Sequence, residues 1–424
     1  MQPLVGRIRT YAWGSRTALA QLTGRPQPST GPEAELWFGA HPDDPSAMPD
    51  GSLLDALSAD PEGLLGAGVV SEFGPRLPYL LKVLAAESNM SLQTHPDASR
   101  AAVAFDMAHP GYTDGHHKPE LLVALEEFDA LCGFRDPSVS ADVLAALRVP
   151  ALAPVVEALR APVPADQRLR RAVELLMEWP VEERPALVAD VVAAGEPLAK
   201  DLGDRYPGDV GVVVALLLNR VRLGADDAVF MPAGNLHCYL CGLGVEAMAA
   251  SDNVLRGGLT PKRVDVPELL RVLRFEVLEQ PVVSAVPVGP GVLTWPVPVR
   301  EFALHKATVD GAAVDGAQPV GAGPVELPAT GPRVVMCVTG AVTATSGAAS
   351  LPLAPGGGLF SAKLGNNSVG AEAERMQYYV RVPAGFNNYS FAFKYAVVLE
   401  DPSHSPAEQP AFMVVAYPSV LLAI

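Results

Sequence analysis

Short apolar runs that stop at glycine, proline, aspartate or asparagine are the feature of this sequence that most restricts its fold. Residues 77–86 and 121–125 are two such runs. The 424 residues include 38 glycines and 41 prolines, which favours many short strands joined by tight turns over long helices throughout. The sequence therefore predicts a mainly β protein. A chain of this length exceeds one compact core, so two or three domains are expected.

One stretch departs from this pattern. From about Ser138 to Arg222, apolar residues recur near helical spacing amid alanine, glutamate and arginine, which predicts an insert of several helices. The residues that carry this period are Leu144, Leu147, Val155, Leu159, Val173, Leu176 and Val188. Elsewhere, one helix is expected before residue 137 and a short one after Pro267.

The domain limits follow from these shifts in pattern. The predicted catalytic β domain is discontinuous and comprises residues 1–136 and 223–280, with the helical insert at 137–222. The Val/Pro/Gly-rich remainder, 281–424, is expected to form a second β domain. Within it, 361–424 is an atypical tail that is enriched in asparagine and tyrosine.

Charge and cysteine content exclude several classes of protein. The formal net charge of −16 argues against a nucleic-acid partner, because binding a phosphate backbone needs a positive surface. Four cysteines do not make a disulfide framework at this length. The first residues contain no apolar run of signal-peptide length, and no stretch approaches the roughly 20 apolar residues of a membrane span. We therefore expect a cytoplasmic protein without a nucleic-acid or membrane partner.

The most informative motif is Ser91-Leu-Gln-Thr-His95. In a strand, side chains two residues apart share a face, so Gln93 and His95 point together. Their amide oxygen and imidazole can both reach a single cation. The alternative for this pair alone is a hydrogen-bonded strand wall without a metal.

Two further motifs supply candidate ligands. Glu120 opens the apolar run 121–125, and a carboxylate at the start of a buried strand is costly unless it is paired or metal-bound. His237 and Tyr239 follow a Pro-Ala-Gly turn and again share one face. His116 and His117, which are close to Glu120, could both be ordinary loop histidines.

Together Gln93, His95, Glu120 and His237 offer two nitrogen and two oxygen ligands. Mixed ligands drawn from several strands are typical of a catalytic metal site that keeps positions for water or substrate. This set suits Zn²⁺, although Fe²⁺, Mn²⁺ or Co²⁺ would also fit.

Residues 246–262 interleave acidic, amide and basic side chains with glycines. Asp252, Asn253, Arg256 and Lys262 make a poor core but a good anion-binding loop, because an arginine can grip a phosphate with two parallel hydrogen bonds. The alternative is an exposed charged loop without a ligand.

Long motifs recur over roughly residues 1–280. They read Tyr11-Ala-Trp-Gly-Ser15, Glu35-Leu-Trp-Phe-Gly-Ala-His-Pro42, Leu77-Pro-Tyr-Leu-Leu-Lys82, Ser91-Leu-Gln-Thr-His-Pro96, His117-Lys-Pro-Glu120, Phe128-Asp-Ala-Leu-Cys-Gly-Phe-Arg135 and Ser251-Asp-Asn-Val-Leu-Arg-Gly-Gly-Leu-Thr-Pro-Lys262. In content and order they resemble the type I phosphomannose isomerase family of zinc-dependent cupin enzymes. The resemblance implies a catalytic cupin (jelly-roll) barrel, an inserted α-helical domain and a second cupin-like β domain at the C-terminus. The tail from about Ser361 does not match the family's usual ending.

The resemblance also implies residue roles. One zinc ion per chain would be held by Gln93, His95, Glu120 and His237. The catalytic pocket would contain Arg256, Lys118, Glu246, Asp252, His117 and Tyr239. The substrate phosphate would be bound by Ser91, Lys82 and Lys262.

The implied reaction interconverts mannose 6-phosphate and fructose 6-phosphate, and so feeds mannose and GDP-mannose metabolism. It moves a proton between C1 and C2 of the open-chain sugar through an enediol. Lys118 or Glu246 could carry the proton, and the sequence does not choose between them. His117 or Asp252 could assist, while Arg256 would balance developing negative charge. A monomer with a small sugar phosphate as its partner is expected.

Two other functions would use part of this set of residues. A metal-dependent cupin dioxygenase would use two histidines and a carboxylate on Fe²⁺, but it leaves the basic loop near Arg256 unexplained. A non-catalytic sugar-phosphate sensor on a cupin scaffold is the second alternative. The intact ligand set weighs against it, because degenerate binders tend to lose ligands.

Other signals are weaker. Cys238-Tyr-Leu-Cys241 has the spacing of a metal or redox pair, but residues three apart in a strand face opposite sides. Gly66-Ala-Gly68 follows no clear strand and is therefore not a dinucleotide-binding fingerprint. The remaining histidines are expected to be surface or structural residues, namely His41, His109, His305 and His404.

Overall fold

The structure, a computed structural model, describes residues 2–309, 325–327, 331–339, 342–346, 349–353, 360–362 and 419–423. In these residues the strands are β1 (Gln2–Leu4), β2 (Arg7–Arg9), β3 (Glu35–Phe38), β4 (Ala47–Met48), β5 (Gly51–Ser52), β6 (Tyr79–Ala86), β7 (Leu92–Thr94), β8 (Glu120–Phe134), β9 (Leu218–Leu223), β10 (Ala228–Met231), β11 (His237–Ala249), β12 (Leu255–Gly258), β13 (Val282–Val283), β14 (Val286–Gly289), β15 (Val292–Thr294), β16 (His305–Val309), β17 (Val335–Thr339), β18 (Val342–Ser346), β19 (Ala349–Leu353), β20 (Phe360–Ala362) and β21 (Ser419–Ala423). The helices are α1 (Ala18–Leu22), α2 (Leu53–Ala59), α3 (Pro61–Leu65), α4 (Ala67–Phe73), α5 (Ala98–Asp106), α6 (Pro137–Ala146), α7 (Ala153–Arg160), α8 (Ala165–Met177), α9 (Arg184–Ala193), α10 (Pro197–Arg205), α11 (Gly211–Ala215) and α12 (Val266–Val272), with a short 3₁₀ turn at Pro150–Leu152.

Two long strands form the centre of a ten-stranded sheet. β8, of 15 residues, and β11, of 13 residues, pair antiparallel along most of their lengths. Their register shifts between Tyr239 and Cys241 and again between Gly242 and Gly244, and such bulges bend the strands. On one side of the bend the order is β13-β10-β8-β11-β6-β3-β2. On the other side β9 pairs with β8, and β7 joins β11 to β12. The same long strands therefore belong to two half-sheets.

The two half-sheets enclose one core. Leu84 and Leu122 of the first half-sheet belong to the same buried cluster as Phe128, Ala130 and Tyr239 of the second. The strand pairing runs from one edge to the other and does not close on itself among the described strands. The predicted mainly β architecture with inserted helices is confirmed, and the folded-over sheet is consistent with the expected cupin-type fold.

Alternation along the strands decides which charged residues enter this core. In β6, Leu81 and Val83 pack on the outer face, so Lys82 between them points inward. In β11, Val245 also packs on the outer face, and Glu246 points inward. The register pairs Glu246 directly with Lys82.

Helices cover the outer face of the second half-sheet. α6 to α11 lie between Pro137 and Ala215, within the stretch that the sequence predicts to be helical. α8 buries Leu169, Val173 and Leu176 on one face, at the spacing of an amphipathic helix, and these residues pack in one cluster with Leu131 and Leu240 of the sheet. The helical character of this stretch is confirmed, whereas the domain limits remain predictions.

The first part of the chain contains more helix than the sequence predicts. Before residue 137 there are five helices, α1 to α5, rather than one. Ser52 and Asp55 form a capping box at α2, and the side chains of Asp60 and Asp97 cap α3 and α5. These helices have five to nine residues, too few to show a clear apolar period, and side-chain caps mark where α2, α3 and α5 begin. The short helix predicted after Pro267 is α12.

A second sheet of five strands has the order β14-β15-β16-β21-β17. Trp295, Phe302 and Leu304 from this region pack against the outer face of the first half-sheet. Of the atypical tail, 361–362 and 419–423 are described, and the remainder, with His404, lies outside the described residues. Among the described helices, none combines the length and the apolar character needed to cross a bilayer.

Candidate active site

Three of the predicted metal ligands converge inside the folded sheet. Glu120 opens β8, His237 opens β11 and His95 follows β7. Glu120 Oε2 lies 3.4 Å from His95 Nε2 and 3.3 Å from His237 Nε2. One ligand atom from each residue lies within 4.8 Å of the others. All three side chains are buried, at most 1% exposed.

Backbone carbonyls orient both imidazoles towards this point. The Nδ1–H of His95 donates a 2.7 Å hydrogen bond to the carbonyl of Asn253, and that of His237 donates a 3.2 Å bond to the carbonyl of Asn235. Each Nε2 therefore presents a lone pair, as in metal-ligating histidines. His95 Nε2 and Glu120 Oε2 are buried without a hydrogen-bond partner among the described residues. Two such atoms aimed at the same space fit a cation.

Electrostatics keep these ligands in the forms that bind a metal. Burial lowers the pKa of His95 to about 4, so its imidazole is neutral near pH 7. Burial alone would raise the pKa of Glu120, but Lys118, His95 and His237 together hold it well below its usual range. A neutral imidazole and an ionised carboxylate are the states that ligate a divalent cation.

Gln93 and Arg256 lie in one row with His237 across neighbouring strands. The register pairs His237 of β11 with Gln93 of β7, and Gln93 with Arg256 of β12, so the three side chains share a face. The amide nitrogen of Gln93 lies 3.3 Å from His237 Nε2, and a half-turn of the carboxamide presents its oxygen instead. Arg256 is half-buried, and its guanidinium forms no hydrogen bond or ion pair with the described residues.

Lysines and carboxylates surround the ligands. Lys118 Nζ lies 2.9 Å from Glu120 Oε1, and Lys82 Nζ lies 3.3 Å from Glu246 Oε2. Tyr239 donates a 3.0 Å hydrogen bond to Glu246 Oε1. Burial raises the pKa of Glu246, and the charge of Glu120 raises it further. The site therefore holds a buried carboxylate that binds a proton more readily than an exposed glutamate does.

Asp114 organises the loop that follows β11. Its carboxylate accepts hydrogen bonds from the Ser251 hydroxyl at 2.9 Å, from the Asp252 backbone N–H at 2.9 Å and from the Asn253 side-chain amide at 3.2 Å. The same loop supplies the carbonyl that accepts from His95. The loop is thus attached both to Asp114 and to the candidate metal centre.

Asp252 lies at the rim of the site. Its side chain is 45% exposed, and its Oδ2 lies 2.7 Å from His41 Nε2. The hydrogen bond with His41 lowers the pKa of Asp252, and the positive charges of Lys118 and Lys82 lower it further. An ionised carboxylate is therefore held near the two lysines of the site.

Three other predicted site residues, His117, Ser91 and Lys262, form no bond with the candidate metal ligands in the described part of the chain. His117 bonds to Glu301 at 2.6 Å and lines a cavity of about 240 Å³ whose lining includes none of the four candidate ligands. Lys118 is the next residue in the chain, and neighbours in an extended segment point to opposite sides. Ser91 is half-buried before β7 and Lys262 is exposed after β12. Neither side chain bonds to the candidate ligands within the described part of the chain.

Several residues that shape the metal site are not predicted from the sequence to bear on it. His41 was expected to be a surface or structural residue, but it bonds to Asp252. Asn253 orients a ligand, and Glu35 accepts a 2.7 Å hydrogen bond from Trp37. These residues lie in the motifs that carry the family resemblance, which is a signal that could have marked them. Asp114 has no such signal in the sequence.

Cys238 is buried and Cys241 is exposed, and both thiols are free. The register pairs Cys238 with Leu131 and Cys241 with Asp129, which are two residues apart on β8 and therefore share a face. The prediction that the two cysteines face opposite sides is wrong, because the bulge between Tyr239 and Cys241 interrupts the alternation of β11.

Known sequences resemble this chain along most of its length. Residues 1–137 match the sequence profile of the family described as phosphomannose isomerase type I, catalytic domain. Mannose-6-phosphate isomerase of Escherichia coli (strain K12) is 36% identical over 387 residues, which covers 85% of this chain and 95% of that protein. Mannose-6-phosphate isomerase of Bos taurus is 33% identical over 402 residues, with coverage of 84% and 92%.

Solved structures resemble the fold as well. A variant of phosphomannose isomerase from Salmonella typhimurium has a TM-score of 0.75 and 28% identity, and the match covers 100% of this chain and 99% of that chain. A mannose 6-phosphate isomerase bound with zinc and yttrium has a TM-score of 0.73 and 29% identity, with coverage of 100% and 98%.

Proposed function

The chain belongs to the type I mannose-6-phosphate isomerase family, and on this basis we propose that it interconverts mannose 6-phosphate and fructose 6-phosphate. The observation that carries the proposal is the convergence of His95, Glu120 and His237 beside Lys118 and Glu246. Aldose–ketose isomerisation needs an electrophile at the sugar oxygens and a base near C1 and C2. The three candidate ligands can hold the electrophile, and Lys118 and Glu246 lie where a base is needed.

Zinc is the cofactor of the proposed enzyme. Gln93, His95, Glu120 and His237 would hold it, since imidazole nitrogens and carbonyl or carboxylate oxygens suit this ion. When bound, zinc supplies Lewis-acid polarisation of the sugar oxygens. His95 Nε2 and Glu120 Oε2 have no hydrogen-bond partner within the described part of the chain, which supports the assignment, as does the zinc in a similar solved structure.

Glu246 is the proton carrier that the contacts favour. Taking a proton from C2 of mannose 6-phosphate requires a group that is ionised yet able to accept, and burial raises the pKa of this carboxyl. Tyr239 and Lys82 hold its two oxygens, so its direction is set before substrate arrives. Glu246 then returns the proton to C1. Lys118 is paired with Glu120 and serves as a cation beside the reacting oxygens.

Arg256 and Asp252 act on the oxygens of the sugar. Arg256 is paired in register with Gln93 and makes no hydrogen bond or ion pair with the described residues, so its guanidinium can balance the negative charge that forms with the enediol. Asp252 is the acid–base group for opening the sugar ring, because Oδ1 has no partner among the described residues and faces no competing bond. His117 has less support for this assisting role, since it is already bonded to Glu301.

Phosphate binding is proposed for Ser91, Lys82 and Lys262 on the strength of the family motifs. Lys262 is exposed after β12 and so can meet the phosphate of an incoming sugar. Lys82 is deeper and shared with Glu246. This arrangement predicts that Lys262 contributes mainly to binding.

A coupled assay with mannose 6-phosphate tests the proposed function. Purified protein should turn over this substrate, lose turnover after chelation and regain it with one equivalent of zinc. Full turnover after complete removal of metal would contradict the zinc assignment. Metal-loaded, folded protein with no turnover would contradict the isomerase assignment.

We also propose a monomeric cytoplasmic enzyme whose catalytic domain comprises 1–136 and 223–280, with a helical domain at 137–222 and a second β domain at 281–424. Four free thiols support a reducing compartment. Sedimentation of the purified protein tests the monomer, and cell fractionation tests the compartment. Limited proteolysis tests the domain limits.

A further inference from the structure

The loop after β3 carries an imidazole that the proposed mechanism does not use. His41 Nε2 lies 2.7 Å from Asp252 Oδ2, although 211 positions separate the two residues in the chain. The other ring nitrogen, Nδ1, accepts the backbone N–H of Asp43 at 3.1 Å. Because Nδ1 is an acceptor, the neutral ring carries its proton on Nε2 and donates it to the carboxylate.

Packing fixes the orientation of this imidazole. The side chain of His41 is 12% exposed, and its ring centroid lies 4.7 Å from that of Trp37. Trp37 is held in turn by a 2.7 Å hydrogen bond from its indole N–H to Glu35, and its ring lies 5.2 Å from the ammonium of Lys82. A single motif, 35–42, thus places His41 on the same wall as a lysine of the site.

The carboxylate of Asp252 depends on this imidazole for its direction. Asp114 holds the backbone of Asp252 through the N–H but does not reach its side chain. Among the described residues, His41 is the one hydrogen-bond partner of that carboxylate, and it binds Oδ2 alone. Oδ2 is therefore held by this hydrogen bond, whereas Oδ1 has no partner among the described residues and can bind a substrate.

We propose that His41 is a positioning residue, which ties Oδ2 of Asp252 so that Oδ1 is aimed at the sugar for ring opening. The inference rests on the proposed isomerase function and extends it to a residue outside the substrate pocket. A donor of fixed tautomer is suited to this role, because it binds the ionised form of the carboxylate and cannot rotate away from it.

The charged groups around Asp252 determine how the pKa of its carboxyl changes when the bond from His41 is lost. Asp43 lies in the same loop as His41, and Asp114 accepts the backbone N–H of Asp252. Lys82 and Lys118 face the carboxylate of Asp252 from within the site. The hydrogen bond from His41 is the largest cause that lowers the pKa of Asp252. Without it the two lysines remain, so the pKa rises towards its usual range but the acid still ionises.

Two substitutions of His41 distinguish its role as a hydrogen-bond donor to Asp252 from its packing against Trp37. His41→Leu keeps apolar contact with Trp37 and removes the donor, whereas His41→Gln places an amide N–H near the position of Nε2. For His41→Leu we expect kcat/KM to fall about ten- to a hundredfold at neutral pH, with zinc content unchanged. The acid limb of its pH profile should move to higher pH, because Asp252 must be ionised to act. His41→Gln should recover most of the activity and of the profile.

The chain offers a matched control. His109 Nδ1 accepts the backbone N–H of Gly111 at 3.2 Å, and His109 Nε2 lies 3.9 Å from Asp265. This histidine shares with His41 the bond from Nδ1 to the backbone N–H two residues later, but it belongs to no part of the proposed site. His109→Leu should leave kcat/KM and the acid limb unchanged. In an Asp252→Asn background, His41→Leu should have no further effect.

Specific outcomes would overturn the inference. If His41→Leu lowers kcat/KM by the same factor in the Asp252→Asn background, or lowers Tm without moving the acid limb, then His41 serves packing alone. Nitrogen-15 NMR spectra of the histidine side chains report the tautomer of His41 independently of enzyme activity. An inactive wild type with the Nε2–H tautomer would contradict the isomerase function, whereas an active wild type without that tautomer would contradict the positioning role.

Discussion

His95 donates a 2.7 Å hydrogen bond from Nδ1 to the backbone carbonyl of Asn253. This bond joins a ligand of the candidate metal centre to the loop that carries Asp252, and Asp114 holds the same loop by its backbone and side chains. Partners that orient a ligating histidine contribute to metal affinity. The position of the loop and the strength of metal binding are therefore coupled.

Asp114→Ala should weaken zinc binding roughly ten- to a hundredfold, because the loop loses the acceptor that sets the position of the Asn253 carbonyl. Competition with a chromogenic chelator measures the affinity. Asp166→Ala is the control, since Asp166 is exposed in the first turn of α8. Equal zinc affinity in wild type and Asp114→Ala would show that the loop does not orient His95.

His237→Ala should remove zinc while leaving most of the fold in place. The substitution takes one nitrogen from the converging ligand atoms, and the half-sheet around it is held by the remaining residue pairs between β8 and β11 and by the pairing of β9 with β8 and of β12 with β7. Elemental analysis measures the metal and far-ultraviolet circular dichroism measures the fold. His109→Ala should keep wild-type metal content. A full zinc complement in folded His237→Ala would mean that a different fourth ligand is used.

Arg256→Ala should lower turnover far more than it weakens substrate binding. Arg256 is paired in register with Gln93 and makes no hydrogen bond or ion pair with the described residues, so its guanidinium is available to the negative charge that develops only as the enediol forms. Loss of such a donor typically costs about a hundred- to a thousandfold in kcat, and an interaction made mainly in the transition state leaves KM nearly unchanged. Steady-state kinetics decide the matter, and Lys262→Ala gives the contrast with a rise in KM. A large KM effect with normal kcat in Arg256→Ala would refute this role.

Glu246→Gln should abolish proton transfer while retaining zinc. The amide keeps the shape of the side chain but cannot accept the C2 proton, so turnover should fall about a hundred- to ten-thousandfold. Exchange of the C1 and C2 hydrogens of the sugar with deuterated water measures the step directly. Tyr239→Phe removes the 3.0 Å hydrogen bond to Glu246 and should cost about tenfold. Undiminished exchange in Glu246→Gln, together with loss of exchange in Lys118→Met, would assign the base to the lysine.

Glu301→Gln should destabilise the protein near neutral pH and not in acid. The hydrogen bond with His117 lowers the pKa of Glu301, so the pairing stabilises the fold above the usual glutamate pKa of about 4.3. This contribution is lost as the pH falls through the lower folded-state pKa. We expect a loss of about 1 kcal/mol in unfolding free energy at pH 7, shrinking below about pH 4, measured by denaturant titration.

The exposed Glu157 provides the control for this pair, because Glu157→Gln removes a charge at a site without a partner among the described residues. A destabilisation of Glu301→Gln that is the same at every pH would mean that the charge of Glu301 is not its cause. Turnover of Glu301→Gln also tests His117. Normal turnover would place His117 outside the reaction, whereas a large loss would restore it as an assisting group.

Local pattern was sufficient for the parts of the site that lie close together in the chain. The alternation of β7 predicts that Gln93 and His95 share a face, and the apolar run after Glu120 predicts a carboxylate at the mouth of a buried strand. The same reasoning predicts the helical stretch from Pro137, because helical and strand periods differ over a dozen residues. Such features depend on neighbours in sequence alone.

Contacts between distant segments were decided by the tertiary structure. The pairing of His41 with Asp252, the bond from His95 to Asn253 and the turning of His117 towards Glu301 each join residues more than 150 positions apart. Where such residues meet depends on how the bent long strands fold the half-sheets over and how the loops at their ends pack. Neither side-chain periodicity nor composition records that geometry, because both describe the chain only over the few residues of one element.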